Sequence, residues 1–133
     1  MTFEQWQRSV GPKIKGTWNL HEYLPEDVDF FIALSSISKI IGNAGQGNYC
    51  AGNAYQEALC HYRPALGLKG TSINVGLMSD TDEYSTNEDW QKFLHNNPHF
   101  RPLQVEESDL LVVLKTCMKG ETCDGATTRL WSG

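Results

Sequence analysis

No stretch of this sequence approaches the roughly 18 consecutive apolar residues that a membrane span needs. The opening "MTFEQWQRSV" holds no apolar signal core. Both absences point to an intracellular, cytoplasmic chain with no membrane partner. Basic residues are scarce as well: 11 Lys and Arg stand against 16 Asp and Glu, for a net charge of −5. Such a surface repels phosphate backbones, so nucleic acid is not an expected partner. The four cysteines, Cys50, Cys60, Cys117 and Cys123, form no C-x-x-C pair, and no histidine sits at a zinc spacing beside them. No metal site is expected. "CMKGETC" can close a small disulfide loop, but free thiols are the expectation in a reducing compartment. There is no internal repeat and no low-complexity tract. At 133 residues the chain has room for one core, not two.

What is present alternates between helix-like and strand-like segments. Phe3, Trp6, Val10, Ile14, Trp18 and Leu20 keep a rough helical spacing, interrupted at Gly11–Pro12, with Pro12 an early-turn residue of a helix continuing to Tyr23. Trp6 and Trp18 are expected as core anchors and His21 as a packing histidine. "FFIALSS" predicts a short strand buried on both faces. "ISKIIGNAGQG" predicts a loop, and Asn48 a cap for a helix from Tyr49 to about Leu66. Ala51, Ala54, Ala58, Leu59 and Tyr62 give that helix a packing face. "GTSINVG" predicts a second buried strand. A polar stretch follows, with a short helix near Trp90–Leu94. "QVEESDLLVVLKTCMKG" predicts a helix capped by Ser108 and stopped by Gly120, and "ATTRLWSG" a last strand. Alternation of this kind implies parallel strands with right-handed crossovers, with ligands beyond their carboxyl ends. Ser35, Ser36 and the residues after Gly76 fall at such ends, and Tyr49 starts the next helix.

These residue types suit one chemistry. Reducing a ketone leaves negative charge on its oxygen, which needs a proton and hydrogen-bond donors. A tyrosine can give the proton. A nearby lysine makes the phenol a stronger acid, each pKa unit being worth about 1.4 kcal/mol. A serine hydroxyl can hold the carbonyl oxygen, and Asn53, one turn from Tyr49, can orient the lysine or a water. Taken alone, the same residues also suit plain structural roles. Tyr49 can be a helix-start residue, Ser35 and Ser36 strand-end hydroxyls, Lys13 a solvated lysine and Asn53 a neutral helical residue. "NAGQG" follows a strand, yet it lacks G-x-G-x-x-G and a suitably placed lysine.

"PKIKGTWNLHEYL", "FFIALSSISKIIGNAGQGNYCAGNAYQEAL" and "INVG" resemble the ketoreductase domains of polyketide synthases, most of all the fungal highly reducing kind. Those domains are relatives of the short-chain dehydrogenases/reductases. The resemblance is dense from about Pro12 to Gly76 and loose afterwards. It implies a site of Lys, Ser, Tyr and Asn, with Asn four residues after Tyr. That exchanges the Lys and Asn of the commoner Y-x-x-x-K enzymes. The roles fall on Lys13, Ser36, Tyr49 and Asn53. Lys15 is a rival, but Lys13 aligns better with "K-x-x-G-x-x-N-L-H", which ends at His21.

The resemblance further implies NADPH as cofactor, bound mainly by a glycine-rich turn that this sequence lacks. Val75, Gly76 and Leu77 fall where relatives meet the nicotinamide. The expected fold class is α/β: the C-terminal half of a Rossmann-like parallel sheet with flanking helices, its first nucleotide-binding half missing. Residues 1–133 are then one partial ketoreductase domain. Its parts are a catalytic core (1–76), a substrate lid (77–102), and a C-terminal helix with a last strand (103–133). The implied activity is NADPH-dependent reduction of a β-ketoacyl thioester on acyl carrier protein, as part of a larger or complemented ketoreductase. The implied partners are that substrate and either a separate N-terminal ketoreductase half or a second copy of the chain. The competing reading is an inactive remnant that scaffolds or docks with a synthase. A third, a stand-alone dehydrogenase of small alcohols, runs against the Y-x-x-x-N spacing.

Overall fold

The computed structural model describes residues 1–42, 44–80, 88–120 and 127–130. It opens with helix α1, Phe3–Tyr23. Thr2 and Gln5 cap it reciprocally: Gln5 N donates to Thr2 Oγ1 at 3.2 Å and Thr2 N to Gln5 Oε1 at 2.8 Å. The interruption expected at Gly11–Pro12 is absent, and α1 runs through Pro12. Proline forfeits one backbone bond. The packing of Val10 and Thr17, both buried, carries the helix past it. Trp6 and Trp18 are not core anchors, being 40% and 42% exposed. Trp18 instead meets the His21 ring edge-on, centroids 5.1 Å apart, and Trp6 lines an open groove with Phe3 and Ile14.

Strand β1, Ile32–Ser36, pairs in parallel with β2, Thr71–Val75, from Ile32↔Thr71 to Ser36↔Val75. The third strand of this sheet, Thr127–Leu130, pairs in parallel with β2 on its other side. The alternating parallel α/β order is therefore as expected. Residues 125–126 and 131–133 of the expected last strand lie outside the described residues. One sheet face packs Phe31 and Ala33 against Cys60, and the other packs Ile73 against Cys117 with Leu110, Val113 and Leu114. The two-sided burial expected of "FFIALSS" holds only in part. Ala33 and Ser35 are buried, but Leu34 is 43% exposed. Among the described residues β1 pairs on one side only, and Leu34 lines an open cavity.

The expected loop after β1 contains a short helix, α2, Ser38–Ile41. Ser36 Oγ accepts from Ser38 N at 3.2 Å and Ser38 Oγ at 2.8 Å, a hydroxyl turn that starts it. Gly42, at φ 73°, ends it. Helix α3, Gly47–Ala65, begins earlier than expected, with Gln46 and not Asn48 at its cap position. Asn48 instead accepts from Tyr49 N at 2.9 Å inside the first turn. At the far end Gly67, φ 76°, lets Gly67 N reach Pro64 O and Leu68 N reach Arg63 O, which closes the helix. Its buried residues are Gly52, Asn53, Leu59, Cys60 and Arg63. The expected alanine face is wrong beyond Leu59: Ala54 and Ala58 are exposed, and so is Tyr62. Two of those five, Asn53 and Arg63, are polar and a third is glycine, so hydrophobic spacing reports the stripe only in part.

After β2 the chain makes a two-residue strand, β3, Leu77–Met78, paired in parallel with β4, Gln104–Val105. Between them lie α4, Glu88–Asn96, and a 3-10 turn, Pro98–Leu103. Helix α5, Glu107–Met118, ends near Gly120 at φ 72°. Ser108 sits inside its first turn and is not the cap. Both carboxylate oxygens of Asp80 accept from Glu107 N, at 3.1 and 2.9 Å, and Glu106 holds the cap position. With α5 on the page, the strand Thr127–Leu130 is β5. Cys50 and Cys60 carry free thiols, and Cys117 is buried. Cys123 lies outside the described residues. Among the described residues no helix is long and apolar enough to cross a membrane.

Candidate active site

The carboxyl ends of β1 and β2 and the start of α3 open onto a cavity of about 530 Å³. Ser36 and Tyr49 line it, as do Val75, Gly76 and Leu77. Leu34, Met78 and Phe100 make its apolar walls. Two groups expected for different tasks, proton donation and nicotinamide contact, thus share one space. The β3–β4 pairing ties the start of the expected lid to the residues just after its end, and Phe100 lies between them at the cavity wall.

Lys13 and Asn53 stand behind Tyr49 and outside the cavity lining. The Lys13 ammonium lies 5.4 Å from the centroid of the Tyr49 ring. Burial lowers its pKa from the ordinary lysine value. Lys13 reaches this position because Gly52 has no side chain. A Cβ there would stand 3.0 Å from Lys13 Cδ and 3.1 Å from its Cβ. Lys15 points elsewhere, into a groove with Phe3, Trp6 and Ile14.

Asn53 is completely buried. Its Nδ2 donates to Tyr49 O at 2.8 Å, and Ser35 Oγ donates to Asn53 O at 3.1 Å. Ser35 therefore ties the strand end to α3 while Ser36 faces the cavity, as alternation along a strand requires. Asn53 Oδ1 is buried with no hydrogen-bond partner. A buried carbonyl oxygen left so is costly, which suits it to hold a water or a mobile proton donor.

Sequence reasoning did not find Gln56. It is the amide that meets the lysine: Lys13 Nζ donates to Gln56 Oε1 at 2.9 Å, and Gln56 Nε2 donates to Thr17 Oγ1 at 3.2 Å. The signal was available, because Tyr49, Asn53 and Gln56 fall at i, i+4 and i+7 on one helical face. Arg63 was also missed. It is 1% exposed, and its guanidinium lies 3.9 Å from the Phe31 ring centroid and meets His21 Nδ1 at 2.8 Å. Arginine only donates, so His21 Nδ1 accepts and the ring proton sits on Nε2. His21 is thus the packing residue expected, with a hydrogen bond added.

The residues present fit the nicotinamide end of a dinucleotide: an apolar-walled cavity at parallel strand ends, with Tyr49 and Ser36 on its rim. Among the described residues no glycine-rich turn of the dinucleotide kind follows a strand.

A family model described as "KR domain" matches residues 1–80. A highly reducing polyketide synthase of Emericella nidulans is 50% identical over 119 residues, which cover 90% of this chain. A reducing polyketide synthase of Gibberella fujikuroi is 43% identical over 122 residues, 92% of this chain. The chain spans only 5% of the length of each. Among solved structures, an A1-type ketoreductase superposes with a TM-score of 0.76 at 25% identity, over 99% of this chain and 26% of its own. A ketoreductase from the first module of phoslactomycin biosynthesis in Streptomyces gives 0.72 at 26%, over 96% of this chain and 28% of its own. A small-chain dehydrogenase solved in complex with NADPH superposes at 0.77 over 98% of this chain and 63% of its own; at 18% identity that likeness shows the fold alone.

Proposed function

The chain belongs to the KR domain family, related to the ketoreductase regions of fungal highly reducing polyketide synthases, and from that premise we propose that it carries the catalytic side of an NADPH-dependent β-ketoacyl reductase. The substrate is a β-ketoacyl thioester on acyl carrier protein, and the product is the β-hydroxyacyl thioester. The observation that carries this reading is the shared cavity: Ser36, Tyr49 and Val75–Leu77 line it, with the Lys13 ammonium behind the Tyr49 ring.

Reduced nicotinamide, when bound, supplies the hydride; Val75, Gly76 and Leu77 are the residues here that would flank it. Ser36 Oγ orients the carbonyl oxygen. Tyr49 gives the proton as negative charge develops on that oxygen. A cation 5.4 Å from the ring favours the negative charge left on the phenol. Asn53 Oδ1, buried and unpartnered, holds a water that returns the proton. Of the expected substrate lid, 77–102, residues 81–87 lie outside the described residues; Leu77, Met78 and Phe100 are the lid residues at the cavity wall.

The test is reduction of a β-ketoacyl thioester, followed by loss of NADPH absorbance, with the chain supplied with an N-terminal ketoreductase half. Turnover that depends on Tyr49 supports the reading. Complemented chain that binds NADPH without turnover supports a scaffold role instead.

A further inference from the structure

Lys13 is a charged group half-buried beside Tyr49, yet among the described residues it has no ion pair. What holds it is a ring of neutral groups. Its Nζ donates to Gln56 Oε1 at 2.9 Å. Gln56 Nε2 donates to Thr17 Oγ1 at 3.2 Å, and Thr17 Oγ1 donates back to Lys13 O. Both ends of the Gln56 amide are engaged, so its plane cannot flip. Thr17 is buried, which fixes the brace. The neighbouring position shows the alternative: Glu57 pairs with Lys39 as a carboxylate. A carboxylate at 56 would anchor Lys13 equally well, but it would cancel the charge that faces the Tyr49 ring.

We propose that Gln56, braced by Thr17, is the positioning residue that holds the Lys13 ammonium over the Tyr49 ring while leaving its charge uncancelled. The inference rests on the reading of Tyr49 as the acid. It adds that the anchor of the lysine has to be neutral, and that the anchor is not Asn53.

Two substitutions separate anchoring from charge. Gln56→Met removes the acceptor; Gln56→Glu keeps it and adds a negative charge. The first readout is acylation of Lys13 on the folded chain, measured by mass spectrometry against exposed Lys15 on the same helix. Gln56→Met should raise the Lys13:Lys15 ratio by about tenfold, the scale of a hydrogen bond to a charged group. Gln56→Glu should leave the ratio at the wild-type value or lower. An unchanged ratio in a folded Gln56→Met chain overturns the anchor, and if that variant does not fold, a raised ratio in Gln56→Glu overturns it. The second readout is turnover with the N-terminal half supplied. Both variants should lose kcat by about tenfold with KM within about twofold, because the effect is confined to the transition state. Wild-type kcat in Gln56→Glu overturns the need for a neutral anchor. Undiminished turnover in Tyr49→Phe would overturn the underlying reading itself, whatever the labelling shows about the anchor.

Discussion

Lys13 and Tyr49, on different helices and 36 residues apart in the chain, meet with the ammonium 5.4 Å from the ring centroid. The contact exists because α1 crosses α3 at Gly52, where the lysine stem fills the space a side chain would take.

Tyr49→Phe should abolish reduction and leave the fold intact. The ring is 37% exposed, and the change removes one hydroxyl while keeping the ring over Lys13. General acid catalysis contributes about 10²–10⁴-fold, so NADPH consumption should fall by at least a hundredfold. Residual turnover within about tenfold of wild type would remove Tyr49 from the role of main acid.

Gly52→Ala should separate stability from activity. Alanine in a helix interior gains up to about 1 kcal/mol over glycine, and crowding costs about 1–3 kcal/mol. The melt should therefore shift by only a few degrees. The new Cβ stands 3.0 Å from Lys13 Cδ and pushes the lysine aside. A loss of kcat of about tenfold is expected from that displacement. Full kcat with the wild-type melt would show that the position of Lys13 does not matter.

Arg63→Met should destabilise the chain without touching the cavity. The guanidinium donates to Lys69 O, meets His21 Nδ1 and stacks on Phe31. Losing these two bonds and the stacking of a buried side chain should cost about 3 kcal/mol. Arg63→Lys should rescue little, since an ammonium cannot reproduce the planar fork. A denaturant midpoint equal to wild type in either variant would contradict this.

Alkaline pH should weaken the fold through Cys60. Burial pushes its thiol from 9.0 up to about 11. Between those pH values the unfolded chain gives up the proton and the folded chain keeps it, so stability falls as pH rises through the window. The loss is on the order of 2–3 kcal/mol. Lys13, lowered by burial, acts in the opposite direction, because the folded chain sheds the desolvated charge first. Denaturant melts of wild type and Cys60→Ala from pH 8 to 11 isolate the thiol. The variant should lack the fall, and parallel profiles would show that the thiol is not responsible.

The isolated 133-residue chain should self-associate at micromolar concentration, or be rescued by an N-terminal ketoreductase half. Among the described residues β1 pairs only with β2, and Phe30 and Leu34 beside the open edge are 45% and 43% exposed. Such edges recruit strands. Light scattering showing a monodisperse monomer with a cooperative melt would refute this.

The sequence by itself determined the parallel α/β order, because apolar runs such as "FFIALSS" and "TSINV" alternate with helical spacing. It also set Tyr49 and Asn53 on one helix, since that spacing is local. Where it failed, long-range packing decided. The continuity of α1 through Pro12, the exposure of Trp6 and Trp18, and the tie between β3 and β4 depend on partners far along the chain. So does the cap that Asp80 lends to α5 from 27 residues away. The contacts of Lys13 with Tyr49, Gln56 and Gly52 belong to the same class. They lie on a half-buried face of polar and small residues, where hydrophobic periodicity gives no signal, and only the crossing of two helices brings them within bonding distance.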